Sequence, residues 1–252
     1  MSFWVALRKE MLEQWRSYRL LIVLAVLLVF GLLSPLLAKL TPEIVRLMPE
    51  GEEIAALIPP PSVEDAVTQY VKNVSQFGVV LALLMTMGIV AQEKERGTAA
   101  LMLVKPMSRG TFLGAKLAAL ALNFAVSIAM AGLAAYYYTL ILFEPPTFSS
   151  WLALNGLMFL FLLVYVSLTL LASTLTSSQA VAGGLAFAGM IALSILGTIP
   201  RLGEFLPGQL LAWGTQLALG ETGSFWPSVV ISVGLIATSF GVAWATFERQ
   251  EL

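Results

Sequence analysis

The chain has 252 residues, of which 58% are hydrophobic and 12% charged, and its mean hydropathy is +0.87. Soluble domains usually contain about 25% charged residues, and a water-soluble fold of this length could not bury so much apolar surface. The net charge of −1 excludes a strongly basic nucleic-acid-binding protein. The absence of Cys and His removes thiolate metal ligands and the commonest general base. We therefore predict an all-α integral membrane protein.

Residues 1–19 have the pattern of an amphipathic helix that lies along a membrane surface. Large apolar residues recur at helical spacing, and charged residues fall on the opposite arc. Trp favours the headgroup layer, so we predict that this helix is interfacial. Two roles stay open: a membrane anchor that sets topology, and an elbow helix that also touches a cytoplasmic partner. The apolar arc comprises Phe3, Trp4, Leu7, Met11, Trp15 and Tyr18, and the charged arc Lys9, Glu10, Glu13 and Arg16.

Six apolar segments approach the roughly 20 residues that a membrane-spanning helix needs. They form one predicted transmembrane domain that covers residues 1–252. The third segment is long for one crossing, so we expect it to tilt or to extend beyond the hydrocarbon. The six segments are residues 20–38, 74–91, 113–143, 151–174, 179–199 and 226–247.

Lys and Arg are distributed unevenly between the two sides that six crossings create. Ten of them lie on the side of the termini and of the loop after the second span, whereas four lie on the other side. Cytoplasmic loops carry an excess of Lys and Arg, so both termini are predicted to be cytoplasmic in a multi-pass protein of the cytoplasmic membrane. The other side is predicted to hold an outer loop at residues 41–72, in which Ser62 can cap a helix that leads into the second span.

Residues 200–225 form a second outer segment that is mostly apolar and is interrupted by Gly and Pro. Neither apolar piece is long enough to cross, so we predict short re-entrant helices that dip into the outer leaflet. Irregular backbone at that depth needs protein or a cavity beside it, which suggests that this segment lines or plugs a path. Together with polar residues of the spans, it supplies the candidates for path or gate lining, which are Asn123, Asn155, Ser194, Leu206, Leu210 and Trp213.

Residues 92–112 form a charged loop, punctuated by Gly and Pro, between two apolar spans. Thr98 can cap a helix after Gly97, and Pro106 ends that helix. The result is a short, largely apolar helix held between two rigid spans, and an exposed apolar surface of this kind usually marks a docking site. Composition alone leaves a second interpretation open, a solvated loop tucked under the membrane.

This loop resembles the cytoplasmic loop of ABC-2 type transporter permeases, the membrane subunits of a class of ATP-binding-cassette exporters. The family pattern is acidic-x-acidic-x-Gly-Thr, a Leu-rich turn, Pro-x-Ser/Thr-Arg, and a Lys shortly after. The stretches LRKEMLEQWRSYRLL, PGQLLAWGTQLALG and FERQEL are also similar to the family. The matching loop positions are Glu93, Glu95, Gly97, Thr98, Leu101, Leu103, Pro106, Ser108, Arg109 and Lys116.

The resemblance implies a coupling helix at residues 98–105 that seats in a groove of an ATPase subunit. It also implies two copies of that ATP-binding-cassette ATPase and a second permease subunit, identical or homologous, surrounded by membrane lipid. ATP and Mg would bind in the ATPase, so this chain is expected to have no catalytic, cofactor or metal site. The residues implied to dock the ATPase are Glu93, Glu95, Gly97, Thr98, Leu101, Met102, Leu103, Pro106 and Arg109.

The sequence argues against other classes. The stretch from Gly110 to Leu117 fails the spacing of a P-loop and lacks the hydroxyl after its Lys. An intramembrane serine enzyme needs a nearby His or Lys, and ion-coupled transporters usually carry charges in mid-membrane, whereas the middles of these six spans carry none. An ATP-independent transporter or channel, or a membrane scaffold, is the alternative. If a path runs between the spans, its walls lack fixed charge, which favours an amphipathic or lipid-like substrate.

Overall fold

The structure is a computed structural model that describes residues 2–49, 51–98 and 107–250. Within these ranges the regular secondary structure is helical: ten α-helices and one short 3₁₀ helix at Gly203–Phe205. The α-helices are α1 (Phe3–Arg16), α2 (Arg19–Arg46), α3 (Gly51–Leu57), α4 (Val63–Thr86), α5 (Ala91–Glu95), α6 (Arg109–Leu142), α7 (Phe148–Leu175), α8 (Gln179–Gly197), α9 (Gly208–Ala218) and α10 (Trp226–Glu248).

Within the described ranges, six helical segments are long and apolar enough to cross a membrane. They are α2, the stretch from α4 to the end of α5, and helices α6, α7, α8 and α10. The prediction of an all-α protein with six membrane-spanning helices is therefore confirmed. The third span, α6, is one continuous helix of 34 residues. At about 1.5 Å per residue it is about 50 Å long, so it extends beyond a hydrocarbon core of about 30 Å.

The outer loop after the first span is shorter than the predicted residues 41–72. Helix α2 continues through Thr41 and Pro42 to Arg46, because a membrane helix tolerates the one backbone hydrogen bond that a Pro removes. Helix α4 begins at Val63, where a capping box joins Ser62 and Asp65: each backbone N–H bonds the other side chain, at 2.8 and 3.3 Å. The predicted cap at Ser62 is therefore confirmed, and the second span is longer at its outer end.

Helix α7 is the centre of the bundle, because it packs against α4, α6, α8, α9 and α10. On the other side of the bundle α2 packs along α6, where a Cβ at Gly31 would collide with the backbone of Ala131. Helix α8 lies at the edge, since only Ala182 and Ala186 of this helix are buried. The largest buried side chains of the core are Tyr70, Phe124, Phe247, Leu27, Leu113, Leu120, Ile128, Leu154, Met158, Leu162 and Leu170.

Candidate functional site

A cluster of charged side chains lies where the segment 92–112 leaves the bundle. The ammonium of Lys116, near the start of α6, lies 2.7 Å from a carboxylate oxygen of Glu93 in α5. The same ammonium lies 3.1 and 3.2 Å from the two carboxylate oxygens of Glu10 in α1. Lys116 is fully buried and Glu10 is 5% exposed. These contacts join α1, α5 and α6. We call Lys9, Glu10, Glu13, Glu93 and Lys116 the Lys116 cluster.

Lys9 supplies the second positive charge of this cluster, against three carboxylates. Its ammonium lies 2.9 Å from Glu10, 3.0 Å from Glu13 and 3.8 Å from Glu93. Burial alone would lower the pKa of Lys9, but the neighbouring carboxylates outweigh burial and raise that pKa above its ordinary value. Burial likewise disfavours the charged form of Glu13, yet the hydrogen bond and charge of Lys9 lower its pKa. Both groups are therefore held in their charged forms.

The carboxylates of Glu10, Glu13 and Glu93 lie close enough together to hold a metal ion. However, the two ammonium groups of Lys9 and Lys116 already contact these carboxylates at hydrogen-bonding distances. A divalent ion would have to displace the buried ammonium of Lys116 and the half-buried one of Lys9, which contact the same carboxylates. The arrangement thus fits a network of ion pairs better than a metal site.

One turn further along α1, a neutral contact continues the network into the third span. The amide of Asn123 donates to the side-chain oxygen of Gln14 at 2.8 Å, and Ser127 donates to Asn123 at 3.3 Å. Asn123, a candidate for path lining, is 1% exposed and faces α1. Polar side chains thus face each other along the contact between α1 and α6.

The orientation of α1 differs from the predicted division into an apolar and a charged arc. Glu10 and Gln14 face the bundle, whereas Trp4 and Trp15 are 73% and 58% exposed. Glu10 keeps its predicted place on the charged arc beside Lys9 and Glu13, but this arc turns toward the bundle at Glu10. The physical reason is Lys116, which is buried at the start of α6 and requires an anionic partner.

The other end of the segment 92–112 is fixed to the C-terminal end of α10. The guanidinium of Arg109 donates to the backbone carbonyls of Phe247, Glu248 and Gln250, the last two at 2.9 and 2.8 Å. A cation at these carbonyls satisfies acceptors that the helix end leaves free. The segment is therefore held at both ends, by Glu93 before it and by Arg109 after it.

Lys94 and Gln250 add a third attachment, to the end of α7. The ammonium of Lys94 donates to the carbonyl of Thr174 at 2.7 Å and to the Gln250 side chain at 3.2 Å. The amide of Gln250 also donates to the carbonyl of Thr174, at 2.9 Å. In addition, Gln92 is hydrogen-bonded to Gln179 at the start of α8. The base of the segment thus contacts α7, α8 and the chain's C-terminal residues.

The predicted ATPase-docking residues fall into three groups. Glu93 and Arg109 make the internal contacts described above. Glu95, Gly97 and Thr98 are exposed at the start of the segment. Gly97 has a φ of +67°, and the hydroxyl of Thr98 donates to the carbonyl of Glu93 at 3.2 Å. The remaining predicted residues, Leu101, Met102, Leu103 and Pro106, lie outside the described residues, as does most of the predicted coupling helix.

The six candidates for path lining do not converge on one channel. Asn155 accepts a 2.6 Å hydrogen bond from Tyr70 within the core. Leu210 is fully buried, and Trp213 is 6% exposed with its indole N–H bonded to the carbonyl of Gly223 at 2.8 Å. Ser194 and Leu206 line a common cavity, of about 390 Å³, among α7, α8 and the residues that lead into α9.

Comparison with known proteins identifies the family. Residues 4–203 match the model of the ABC-2 family transporter proteins. The chain belongs to this family. It is also similar to an uncharacterized transmembrane protein, YxlG, of Bacillus subtilis (strain 168), with 29% identity over 227 residues, which cover 87% of this chain and 86% of the relative. The resemblance stated from the sequence is therefore confirmed.

Membership of the ABC-2 family defines the general role of the chain. It is a multi-pass membrane protein and the permease component of an ABC transporter. In this family the ATPase belongs to a partner subunit, so the permease works with an ATP-binding-cassette ATPase. The Lys116 cluster therefore lies at the base of the segment that the resemblance assigns to the ATPase contact.

Proposed function

We propose that this permease belongs to an ATP-driven exporter, which moves an amphipathic or lipid-like substrate across the cytoplasmic membrane. The observation that carries this proposal is the attachment of the segment 92–112 at both of its ends. Glu93 contacts the buried Lys116 on one side, and Arg109 binds carbonyls at the end of α10 on the other. A segment held in this way can pass a displacement to the helices instead of moving alone.

The attachments define which helices would move with the segment. Lys116 joins the segment to α1 and α6, and Lys94 joins it to the end of α7. Since α6 is a continuous helix of 34 residues, a tilt imposed near its start displaces its outer end. We infer that closure of two ATPase subunits pushes on residues 98–105, and that the permease helices respond as levers.

The same contacts support the proposed orientation. Helix α1, the base of the segment 92–112 and residue Gln250 all meet at one end of the bundle. The side of the termini and this segment carries ten of the fourteen Lys and Arg residues. Because cytoplasmic loops carry the excess of Lys and Arg, we place this end and both termini in the cytoplasm.

We further propose that two permease subunits, identical or homologous, form the translocation path together with two ATPase subunits. Helix α8 supports this because it lies at the edge of the bundle with few buried residues. A Cβ added at Gly184 or Gly189 would meet nothing, so these positions permit close approach of another helix. The spans carry no charge in their middles, which suits a substrate with a large apolar part.

The experiment that tests this function is capture of the ATPase. The double substitution Leu101→Asp with Leu103→Asp should abolish co-purification of the co-expressed ATPase subunit, because it would put two charges into an apolar contact. Membrane insertion should be unchanged. Leu47→Asp with Leu57→Asp is the matched control, since both residues are exposed at the other end of the bundle and should retain binding. Retention of the ATPase by the first variant would refute the assigned docking segment.

A further inference from the structure

The cavity among α7, α8 and α9 contains polar groups without partners. We call it the outer cavity; its volume is about 390 Å³. Tyr165 of α7 lines it and is 8% exposed, and its hydroxyl bonds to none of the residues that the structure describes. The Ser194 hydroxyl and the Gln209 amide line the same cavity, likewise without a side-chain hydrogen bond to the described part of the chain. The Tyr165 side chain is largely buried, Gln209 is half-buried and Ser194 is exposed, so a ligand that enters the cavity can reach all three groups.

The N-terminus of α9 faces the same cavity. The cavity is lined there by Pro207, Gly208 and Gln209. Helix α9 has 11 residues, and no side chain of the described residues caps its N-terminus. The N–H groups of Gln209 and Leu210 bond to the carbonyls of Leu206 and Pro207. The N–H of Gly208 has no such partner among the described residues. A helix N-terminus carries a partial positive charge and binds anionic groups through its free N–H groups.

The polar groups named around the outer cavity can each act as a hydrogen-bond donor, and the hydroxyls and the amide can also accept. The hydroxyls of Tyr165 and Ser194, the amide of Gln209 and the N–H of Gly208 can each donate to one acceptor group. Among the described residues that line the cavity, none is charged. Such a site favours an oxygen that is negatively charged, and broken membrane helices use their N-termini for anionic groups in this way.

The cavity is open on the side of α8. Ser194, Thr198 and Gly208 are exposed. Next to this opening, Ile191 and Ile195 are also exposed on α8. A ligand whose polar head enters the cavity can therefore place an apolar chain along the lipid-facing surface of α8.

We propose that the outer cavity binds the anionic oxygen headgroup, a carboxylate or a phosphate, of an amphiphile. The inference rests on the proposed export of an amphipathic substrate, because it assigns the cavity to the headgroup of that substrate. The tyrosine hydroxyl, the serine hydroxyl, the glutamine amide and the start of α9 hold the headgroup oxygens. The apolar chain of the ligand remains in contact with α8.

The test is photolabelling of the full-length permease in phosphatidylcholine nanodiscs. Three photoreactive probes share one C16 chain and end in a carboxylate, a monophosphate or an alcohol. We expect the carboxylate, the phosphate or both to label peptides containing Tyr165 or residues 206–211 about tenfold more than the alcohol does, because hydrogen bonds to charged groups are the stronger ones. The preferred anionic probe identifies which headgroup the cavity takes.

Two variants tie this labelling to the cavity. Tyr165→Phe keeps the ring and removes the hydroxyl, and Gln209→Leu removes the amide; each should reduce labelling by the anionic probe about fivefold to tenfold, while labelling by the alcohol changes little. Tyr137→Phe is the control, because Tyr137 is 61% exposed on α6, is not among the cavity-lining residues, and should change nothing. If one variant is not folded by size-exclusion chromatography, the other decides.

Equal labelling by the alcohol and the anionic probes would overturn the proposal, and so would absence of label from the cavity peptides. Labelling that is unchanged in a folded Tyr165→Phe or Gln209→Leu variant would have the same consequence. These outcomes are independent of ATPase capture. A permease that binds its ATPase but does not prefer anionic probes retains the proposed function and loses this site. A permease that prefers anionic probes but does not bind the ATPase retains this site and loses the proposed function.

Discussion

At one end of the bundle the ammonium of Lys116 contacts two carboxylates, whereas in the outer cavity the hydroxyl of Tyr165 has no partner among the described residues. Both side chains are more than nine-tenths buried. The ion pairs of the first region stabilise a fixed arrangement of helices, although one buried carboxylate oxygen of Glu93 has no partner among the described residues. Polar groups that line a cavity without such partners can instead bind a ligand. We therefore propose that the first region transmits movement and that the second contacts the substrate.

The largest expected effect comes from removing the buried ammonium of the Lys116 cluster. Lys116→Met removes the fully buried ammonium between Glu10 and Glu93 and leaves them only the half-buried Lys9, which should cost about 3 kcal/mol of unfolding free energy. The loss of stability is measured by thermal unfolding of the purified permease, with size-exclusion chromatography as the readout of folded protein. Lys72→Met is the matched control, because Lys72 is exposed and should change the stability by less than about 0.5 kcal/mol.

A compensated variant sharpens this prediction. Glu10→Gln with Glu93→Gln and Lys116→Met, the neutral-cluster variant, removes the buried charges together and should recover most of the stability that Lys116→Met loses. If the neutral-cluster variant is no more stable than Lys116→Met, the cost does not arise from unpaired buried charge.

A smaller effect is expected at the other attachment of the segment 92–112. Arg109→Lys keeps the positive charge but loses the planar guanidinium that bonds three carbonyls of the last turn of α10. We expect hydrogen exchange in residues 246–250 to become about tenfold faster, which corresponds to about 1.4 kcal/mol. Exchange in α9 should be unchanged, since it lies outside these contacts. Uniform acceleration in both regions would contradict a local role for Arg109.

The sequence predicted the features that depend on local pattern. The six spans, the helix cap at Ser62 and the family assignment follow from apolar length, from residue types at fixed spacing and from short motifs. It did not predict the inward orientation of Glu10, because α1 carries apolar residues on more than one face and its direction is fixed by contact with α6. One signal was available: Lys116 follows Arg109 by two helical turns at the start of a span, where a buried ammonium needs an acidic partner.

The candidates for path lining show the same limit of prediction from local sequence. Asn123 and Asn155 are polar residues within apolar spans, and the sequence cannot tell whether such a side chain faces a path or another helix. The structure pairs Asn123 with Gln14 and Asn155 with Tyr70. The outer cavity was only partly indicated, since Ser194 and Leu206 were candidates while Tyr165 and Gln209 were not. Their proximity depends on how α9 packs against α7, which no local pattern encodes.

The smallest expected effect concerns the neutral contact between Gln14 and Asn123. The substitutions Gln14→Leu and Asn123→Leu, made singly and together, form a double-mutant cycle for this 2.8 Å hydrogen bond. We expect a coupling of about 0.5–1.5 kcal/mol in the unfolding free energy, typical of a hydrogen bond between membrane helices. A coupling near zero would mean that Asn123 does not stabilise the contact between α1 and α6, and would restore it as a candidate for the path.

The central claim is that the Lys116 cluster passes movement from the ATPase to the spans. Spin labels at Leu47 and Glu221, both exposed and at the ends of helices distant from the cluster, report this movement by pulsed electron resonance in the assembled complex. The wild-type complex should change its distance distribution when ATP is added. The neutral-cluster variant should still bind the ATPase but lose most of that change. An unchanged response to ATP in this variant, with the ATPase bound, would contradict the account.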